Sequence, residues 1–267
     1  MLKAKNGSLS LADASMDYIR FGTGSRTLIM LPGLGDGLRS VKGTALPMAF
    51  LYRLFARDFT VWCFSRKYPF PEGHTTRDMA RDLKQAMDAL GIEQADLFGV
   101  SMGGMIAQHF AADYPESVNH LILAVTCARP NPLLTESVEE WIVLAKLGSH
   151  TALMESNLRR IYSETYCQKN KWMIPILGKL TKPASYHHFL MQAQACLTHD
   201  AFHRLSVIQA RTLVIGGGQD RCLGADPSRE ISEAIPGAML KLYPQWGHGL
   251  YEEAPDFNQT VLDFLLS

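Results

Sequence analysis

The stretch LFGVSMGGM, residues 97–105, sets a single serine among three glycines at the end of the apolar run ADLFGV. The run before Ser101 reads as a strand, and the residues after it, as far as Tyr114 and the stop at Pro115, read as a helix. A chain that turns abruptly from strand to helix strains the residue at the apex, and only small neighbours let the flanking segments approach each other. Gly99 and Gly103 supply that smallness and Gly104 extends it. The spacing matches G-x-S-x-G in a strand–turn–helix context. Ser101 Oγ should therefore stand clear of a sheet at a helix N-terminus, where backbone N–H groups and the helix dipole favour developing negative charge.

Further out, short apolar runs alternate with helical patterns, the arrangement that builds a mostly parallel sheet covered by helices. The expected strands are MDYIRFG as the opening one and TLIMLPG as its neighbour, then FTVWCFS, ADLFGV, HLILAV, TLVIGGG and AMLKLYP. Their near-continuous hydrophobicity suits strands buried on both faces. Met79, Leu83, Ala86, Met87 and Leu90 recur at helical spacing, with Thr75 and Asp78 placed as a capping box and Gly91 as a stop. A last helix starts near Pro255 and carries Phe257, Val261, Leu262 and Leu265 inward. From Arg129 to His203 the alternation fails: VEEWIVLAKLG, TALMESNLRRIYSETY and SYHHFLMQAQACL read as helices with no strand between them. An inserted helical cap at 129–203, within a core made of 1–128 and 204–267, accounts for a stretch too long to be a structureless loop.

A serine hydroxyl is a weak nucleophile at neutral pH and needs a base and an orienting acid. Of the nine histidines, His248 lies beyond the last strand, between Gly247 and Gly249, which would let its loop turn sharply back toward Ser101. His109 and His120 are expected to pack or meet solvent, and His187 and His188 fall in the cap. His199 and His203 are spaced as i, i+4 on one helical face, a metal-binding spacing with no HExxH pattern or nearby cysteine to support it. Asp220 follows TLVIGGG and gives the chain order Ser, Asp, His. Its rivals are Asp226, placed before Pro227 like an N-cap, and Glu252 and Glu253, which would open the last helix. Thr126 and Cys127 occupy the other strand end that could carry an acid. The glycine-rich LIMLPGLGDG ends a strand beside the serine turn, so the N–H groups of Leu34 and Met102 are the candidate donors to an oxyanion.

Composition narrows the function classes. Twenty-six basic and 26 acidic residues cancel and are scattered, so neither nucleic acid nor an anionic membrane is indicated as partner. The expected partner is a small, largely apolar molecule. No run approaches the roughly 18 apolar residues of a membrane span, and the N-terminal stretch lacks a secretory h-region, which together point to a cytoplasmic protein. The five cysteines (Cys63, Cys127, Cys167, Cys196, Cys222) lack disulfide or CxxC spacing and read as reduced. GLGDGL and GGGQDR miss the third glycine of a dinucleotide loop, and no phosphate-loop motif occurs. No cofactor and no metal are expected.

With these residues in hand, LPGLGDG, GHTTRDMARDL, LFGVSMGGMIAQHFAADYPESVNHLIL, LVIGGGQD and WGHGLYEEAPDFNQTVLDFL resemble blocks of the α/β-hydrolase fold superfamily over the whole chain. They are similar to the corresponding blocks of its small single-chain esterases and lactonases. The resemblance implies Ser101 as nucleophile, Asp220 as acid, His248 as base, and Leu34 with Met102 as oxyanion donors. It departs at Pro32, where the family usually has histidine, and at Ser65-Arg66-Lys67-Tyr68, where the family has D-x-R-G. A serine at 101 sets the chain apart from the dehalogenase and epoxide-hydrolase branches, which carry aspartate there. The expected activity is cleavage of a carboxylic ester, lactone or thioester through an acyl-enzyme. The alternatives are the same triad used for C–C bond hydrolysis, acyl transfer or perhydrolysis, and a non-catalytic small-ligand-binding protein. Trp141, Met154, Tyr162, Trp172, Met173, Phe189 and Met191 of the cap are read mainly as packing residues.

Overall fold

The computed structural model describes residues 2–12 and 14–267. Eight strands, β1 (Lys5–Ser10), β2 (Ser15–Phe21), β3 (Arg26–Leu31), β4 (Phe59–Tyr68), β5 (Ala95–Val100), β6 (Val118–Ala124), β7 (Arg211–Gly217) and β8 (Met239–Tyr243), form one sheet. Their order is β1-β2-β4-β3-β5-β6-β7-β8. β1 and β4 run antiparallel to β2, and every other neighbouring pair is parallel. After β3 the chain crosses to β4 on one side, and after β5 to β6 on the other. The crevice between the carboxyl ends of β3 and β5 is thus the switch point at which open α/β sheets bind ligands.

The period of two along each strand splits the core. In β3, Ile29 and Leu31 face one buried layer, with Leu83 and Met87 of helix Thr76–Ala89 and Met105 of helix Met102–Asp113. Leu28 and Met30 face the other, with Ala49 of helix Ala45–Leu51 and Phe257 and Val261 of helix Phe257–Leu266. With helices on both faces, the central strands read as continuous apolar runs. Helix Thr76–Ala89 begins in the expected capping box, Thr75 accepting from the Asp78 N–H and Asp78 from the Thr75 N–H.

Several local expectations are corrected. MDYIRFG is the second strand and does not neighbour TLIMLPG, because β4 lies between β2 and β3; β1 precedes it, a polar edge strand without an apolar run, whose Gly7 leaves room for the Tyr18 ring. TALMESNLRRIYSETY breaks at Tyr162 and Ser163, because the Ser163 side chain accepts from the Tyr166 N–H and starts a new helix, Glu164–Asn170. A further helix, Ile174–Leu180, lies in the stretch the pattern left unassigned. His199 and His203 do not share a helical face: helix His187–Leu197 ends before His199, which is buried, while His203 is exposed in the next turn. Between β6 and β7 every regular element is helical. Among the described residues no helix is long and apolar enough to cross a membrane.

Candidate active site

Ser101 sits in the one-residue turn between β5 and helix Met102–Asp113, with φ 53° and ψ −120°. That left-handed backbone costs about 1–3 kcal/mol in a residue with a side chain, so the surroundings must hold it. The glycines show how. A Cβ on Gly99 would lie 2.5 Å from the Gly103 carbonyl oxygen, one on Gly103 would overlap the Leu31 carbonyl of β3, and one on Gly104 would meet Thr126 at 2.6 Å. The turn is clamped further by the Ser101 N–H donating to Ala124 O at 2.9 Å and the Thr126 hydroxyl donating to Ser101 O at 2.8 Å. Sequence reasoning considered Thr126 only as a vacant acid position; it braces the turn.

β8 ends at Tyr243, and the loop beyond it brings His248 back to the serine. His248 Nε2 lies 3.1 Å from Ser101 Oγ, and His248 Nδ1 lies 2.8 Å from Asp220 Oδ2. Because a carboxylate only accepts, Nδ1 carries the proton and Nε2 presents its lone pair to the hydroxyl. The other Asp220 oxygen accepts from the Cys222 and Leu223 N–H groups, at 2.7 and 2.9 Å. Both Asp220 and His248 are buried. Gly247 and Gly249 serve close approach rather than a sharp turn. A Cβ on Gly247 would press on the Gln219 carbonyl at 3.1 Å, and one on Gly249 on the Tyr162 ring at 2.8 Å.

The rival groups are held elsewhere. Asp226 is the first residue of helix Asp226–Ala234 and not its N-cap, which is Ala225. Glu252 and Glu253 belong to a separate short helix, Leu250–Glu253, and not to the last one. Glu252 accepts from Tyr162 Oη at 2.8 Å, and Glu253 accepts from both the N–H and the hydroxyl of Ser163. His120 bonds to Asp96, and His109 packs edge-on against His199. Asp220, Cys222 and His248 bring three potential metal donors within 4.8 Å of one another. Two of them are already engaged with each other, and burial followed by the Asp220 charge drives the Cys222 thiol pKa far up, away from the thiolate a metal needs.

The loop after β3 faces the serine, with a Cβ on Gly33 only 3.8 Å from Ser101 Oγ. Leu34 N–H opens the short turn Leu34–Gly37 and Met102 N–H opens helix Met102–Asp113, and among the described residues neither donates to a protein acceptor. Pro32 brings no side-chain donor, and the loop is held instead by Arg66. Its Nη2 donates to Pro32 O at 2.5 Å, and its backbone N–H donates to Asp36 Oδ2 at 2.9 Å. Arg66 and Asp36 are both buried. Burial lowers the guanidinium pKa, and the nearby Asp36 charge works against that. Sequence reasoning missed this pair. The signal was the departure at Ser65–Tyr68, which proves to be the end of β4 itself. The next residue, Lys67, pairs with Asp82 at 3.0 Å, and His74 meets the same carboxylate.

Above Ser101 and His248 lies a cavity of about 630 Å³. Trp141, Met154, Tyr162, Met173 and Phe189 line it, so most of the cap residues read as packing face this space. Trp172 is exposed and Met191 packs against the core. Glu252 is also among the lining residues, and burial with the Glu253 charge pushes its carboxyl pKa up against the opposing Tyr162 hydrogen bond. Among the described residues Arg39 is the only arginine or lysine in the lining.

Residues 26–153 match the family model described as alpha/beta hydrolase fold. The chain is 32% identical over 193 residues to a 2-hydroxy-6-oxo-6-phenylhexa-2,4-dienoate hydrolase of Comamonas testosteroni, covering 70% of this chain and 68% of the relative. It is 30% identical over 264 residues to a 2-hydroxy-6-oxononadienedioate/2-hydroxy-6-oxononatrienedioate hydrolase of Paraburkholderia phymatum, covering 93% and 90%. Among solved structures, the enol-lactonase of Burkholderia xenovorans superposes with a TM-score of 0.83 at 22% identity, covering 98% of this chain and all of that one (100%). The eight-stranded, mostly parallel sheet and these likenesses agree: the chain is a hydrolase that belongs to the α/β hydrolase fold family.

Proposed function

We propose that this hydrolase cleaves a small, largely apolar carboxylic ester, lactone or thioester through an acyl-enzyme, with Ser101 as nucleophile, His248 as base and Asp220 as its orienting acid. The observation that carries the reading is the hydrogen-bonded line from Asp220 through His248 to Ser101, ending at a cavity of about 630 Å³. Ser101 Oγ attacks the substrate carbonyl carbon while His248 Nε2 takes its proton. Asp220 holds the imidazole tautomer and stabilises the imidazolium. The carbonyl electron pair moves onto oxygen, which the Leu34 and Met102 N–H groups receive. Collapse expels the alkoxide or thiolate, protonated by His248, and water then repeats the sequence on the acyl-serine. Residues 129–203 act as a cap that closes the apolar space above the serine and excludes water.

A second reading, C–C bond hydrolysis with the same residues, is favoured by the relatives, whose names describe 2-hydroxy-6-oxo dienoates with no ester group. The lining argues for a neutral substrate instead, because the one arginine or lysine among the described residues that line it, Arg39, is exposed, and Glu252 adds a carboxyl group there. A fluorophosphonate is expected to label Ser101, and a panel of nitrophenyl esters and lactones to be turned over by the parent and not by Ser101→Ala. Absence of labelling and of turnover in the folded parent would remove the reading. Arg39→Gln separates the two substrate classes: it leaves neutral ester turnover unchanged, whereas a carboxylate substrate would lose kcat/KM.

A further inference from the structure

Whole-chain neutrality hides a local imbalance. Residues 169–182, KNKWMIPILGKLTK, hold four lysines and no acidic residue. They run from the end of helix Glu164–Asn170 through a short turn at Lys171–Met173 into helix Ile174–Leu180. Met173, Ile174 and Leu177 line the cavity. The outward positions are apolar too: Trp172 is 66% exposed, Ile176 53% and Leu180 77%. A surface helix ordinarily buries one apolar face and turns a polar one to water. Here both faces are apolar, and Lys169, Lys171, Lys179 and Lys182 stand exposed among them. The ion pairs of the neighbouring helices run through Arg159 and Arg160 instead. Another cavity wall repeats the pattern: in helix Ala45–Leu51, Met48 and Leu51 line the cavity while Leu46 and Phe50 are exposed.

We propose that residues 169–182 dock on an anionic lipid surface, with Trp172, Ile176 and Leu180 entering the headgroup–acyl boundary and the four lysines meeting the lipid charges. Exposed tryptophan and aliphatic side chains interleaved with lysine are the chemistry that an anionic membrane interface accepts. A second copy of the chain fits poorly, because a two-fold contact through this face would set lysines against lysines. The same segment forms the wall of the cavity above Ser101, so an apolar substrate dissolved in lipid would reach the serine without crossing water.

The test uses the full chain and sucrose-loaded vesicles of phosphatidylcholine alone or mixed with phosphatidylserine. The parent is expected to sediment with the mixed vesicles, with a blue-shifted Trp172 emission that Trp172→Phe removes. Added salt weakens the binding as the screening length falls from about 30 Å at 0.01 M to about 10 Å at 0.1 M. Lys171→Gln with Lys179→Gln lowers the partition about 30-fold, at roughly fivefold per lysine. Trp172→Ala with Leu180→Ser lowers it on both kinds of vesicle, and Lys241→Gln on β8 changes nothing. Ser101→Ala binds as the parent does, so docking is read separately from hydrolysis. The proposal is overturned if the folded parent stays in the supernatant with mixed vesicles, if both pairs of substitutions leave binding unchanged, or if the face supports a dimer that Trp172→Ala with Leu180→Ser dissolves.

Discussion

Replacing Arg66 by methionine tests how the oxyanion loop is held in a chain with Pro32 at its base. Methionine keeps an unbranched apolar stem in the buried site and deletes the guanidinium that donates to Pro32 O and Phe64 O. Two effects follow. Asp36 loses a nearby positive charge that it does not contact directly, and keeps the backbone N–H of residue 66. The cost should therefore be that of leaving buried carbonyls without their donor, about 1–3 kcal/mol. The loop also loses its tether next to Gly33 and Leu34. A displacement of about 1 Å at the chemistry costs about 100-fold in rate. In the proposed mechanism the Leu34 N–H acts on the oxyanion and not on the bound ester, so kcat is expected to fall while KM stays near the parent value. Urea unfolding and steady-state hydrolysis of a nitrophenyl butyrate ester read the two effects separately. Arg66→Lys keeps the charge without the fork and should retain most of the stability with part of the kcat loss. A folded Arg66→Met protein with kcat within about threefold of the parent would refute the tether, since that is far short of a displaced oxyanion donor.

Two further outcomes follow from packing and burial. Gly103→Ala puts a Cβ inside the Leu31 carbonyl, and overpacking of this kind costs about 1–3 kcal/mol. Gly35→Ala, with nothing within 4 Å of the new atom, should leave urea stability unchanged, and equal losses in the two variants would contradict the packing account. Burial lowers the pKa of His109 from 6.5 to about 4 and that of His199 from 6.5 to about 3. The unfolded chain then takes up these protons first, so the stability that both neutral rings provide is complete above the unfolded value. It drains as pH falls from there toward about 4 and about 3. Each ring contributes a slope of about 1.4 kcal/mol per pH unit in that window. His109→Phe should flatten the acid limb of a urea midpoint series, and a parent midpoint constant from neutral pH down through that window would contradict it.

What was legible in the sequence follows from what local patterns can encode. G-x-S-x-G states a steric requirement of one turn, and the structure shows each glycine against a backbone or side-chain neighbour. Asp220 and His248 were readable because each follows a strand, and the parallel sheet delivers both strand ends to the same edge as Ser101. Arg66 and Asp36 were not readable, because their meeting across 30 residues depends on β4 lying beside β3. β1 carries no apolar run because an edge strand needs none. Helix Ile174–Leu180 was obscured by Pro175 and Gly178, which look like breakers. Proline is tolerated in the first helical turn, and Gly178 packs directly against Thr151.

The break at Tyr162 and Ser163 decides which end of the helical insert can move. Gly249 N–H donates to Ile161 O at 2.6 Å, Arg221 donates to Tyr162 O at 2.5 Å, and Glu253 accepts twice from Ser163. Residues 161–163 are thereby fastened to the loops that carry His248 and Asp220, so displacing them would pull on the imidazole. Among the described residues the stretch 169–182 has no such ties to the sheet layer: its side-chain bonds stay within the helical insert, from Asn170 to Tyr166 O and from Thr181 to Leu177 O, His150 and Met154. Entry to the cavity should therefore open by local loosening of 169–182 about the fixed point at 161–163. Hydrogen exchange is expected to show the amides of 174–180 exchanging faster than that of Tyr162, which bonds to Leu158 O, and than that of Gly249. Equal protection of the two segments would mean that the insert opens as one body, and the imidazole would then have to move each time a substrate enters.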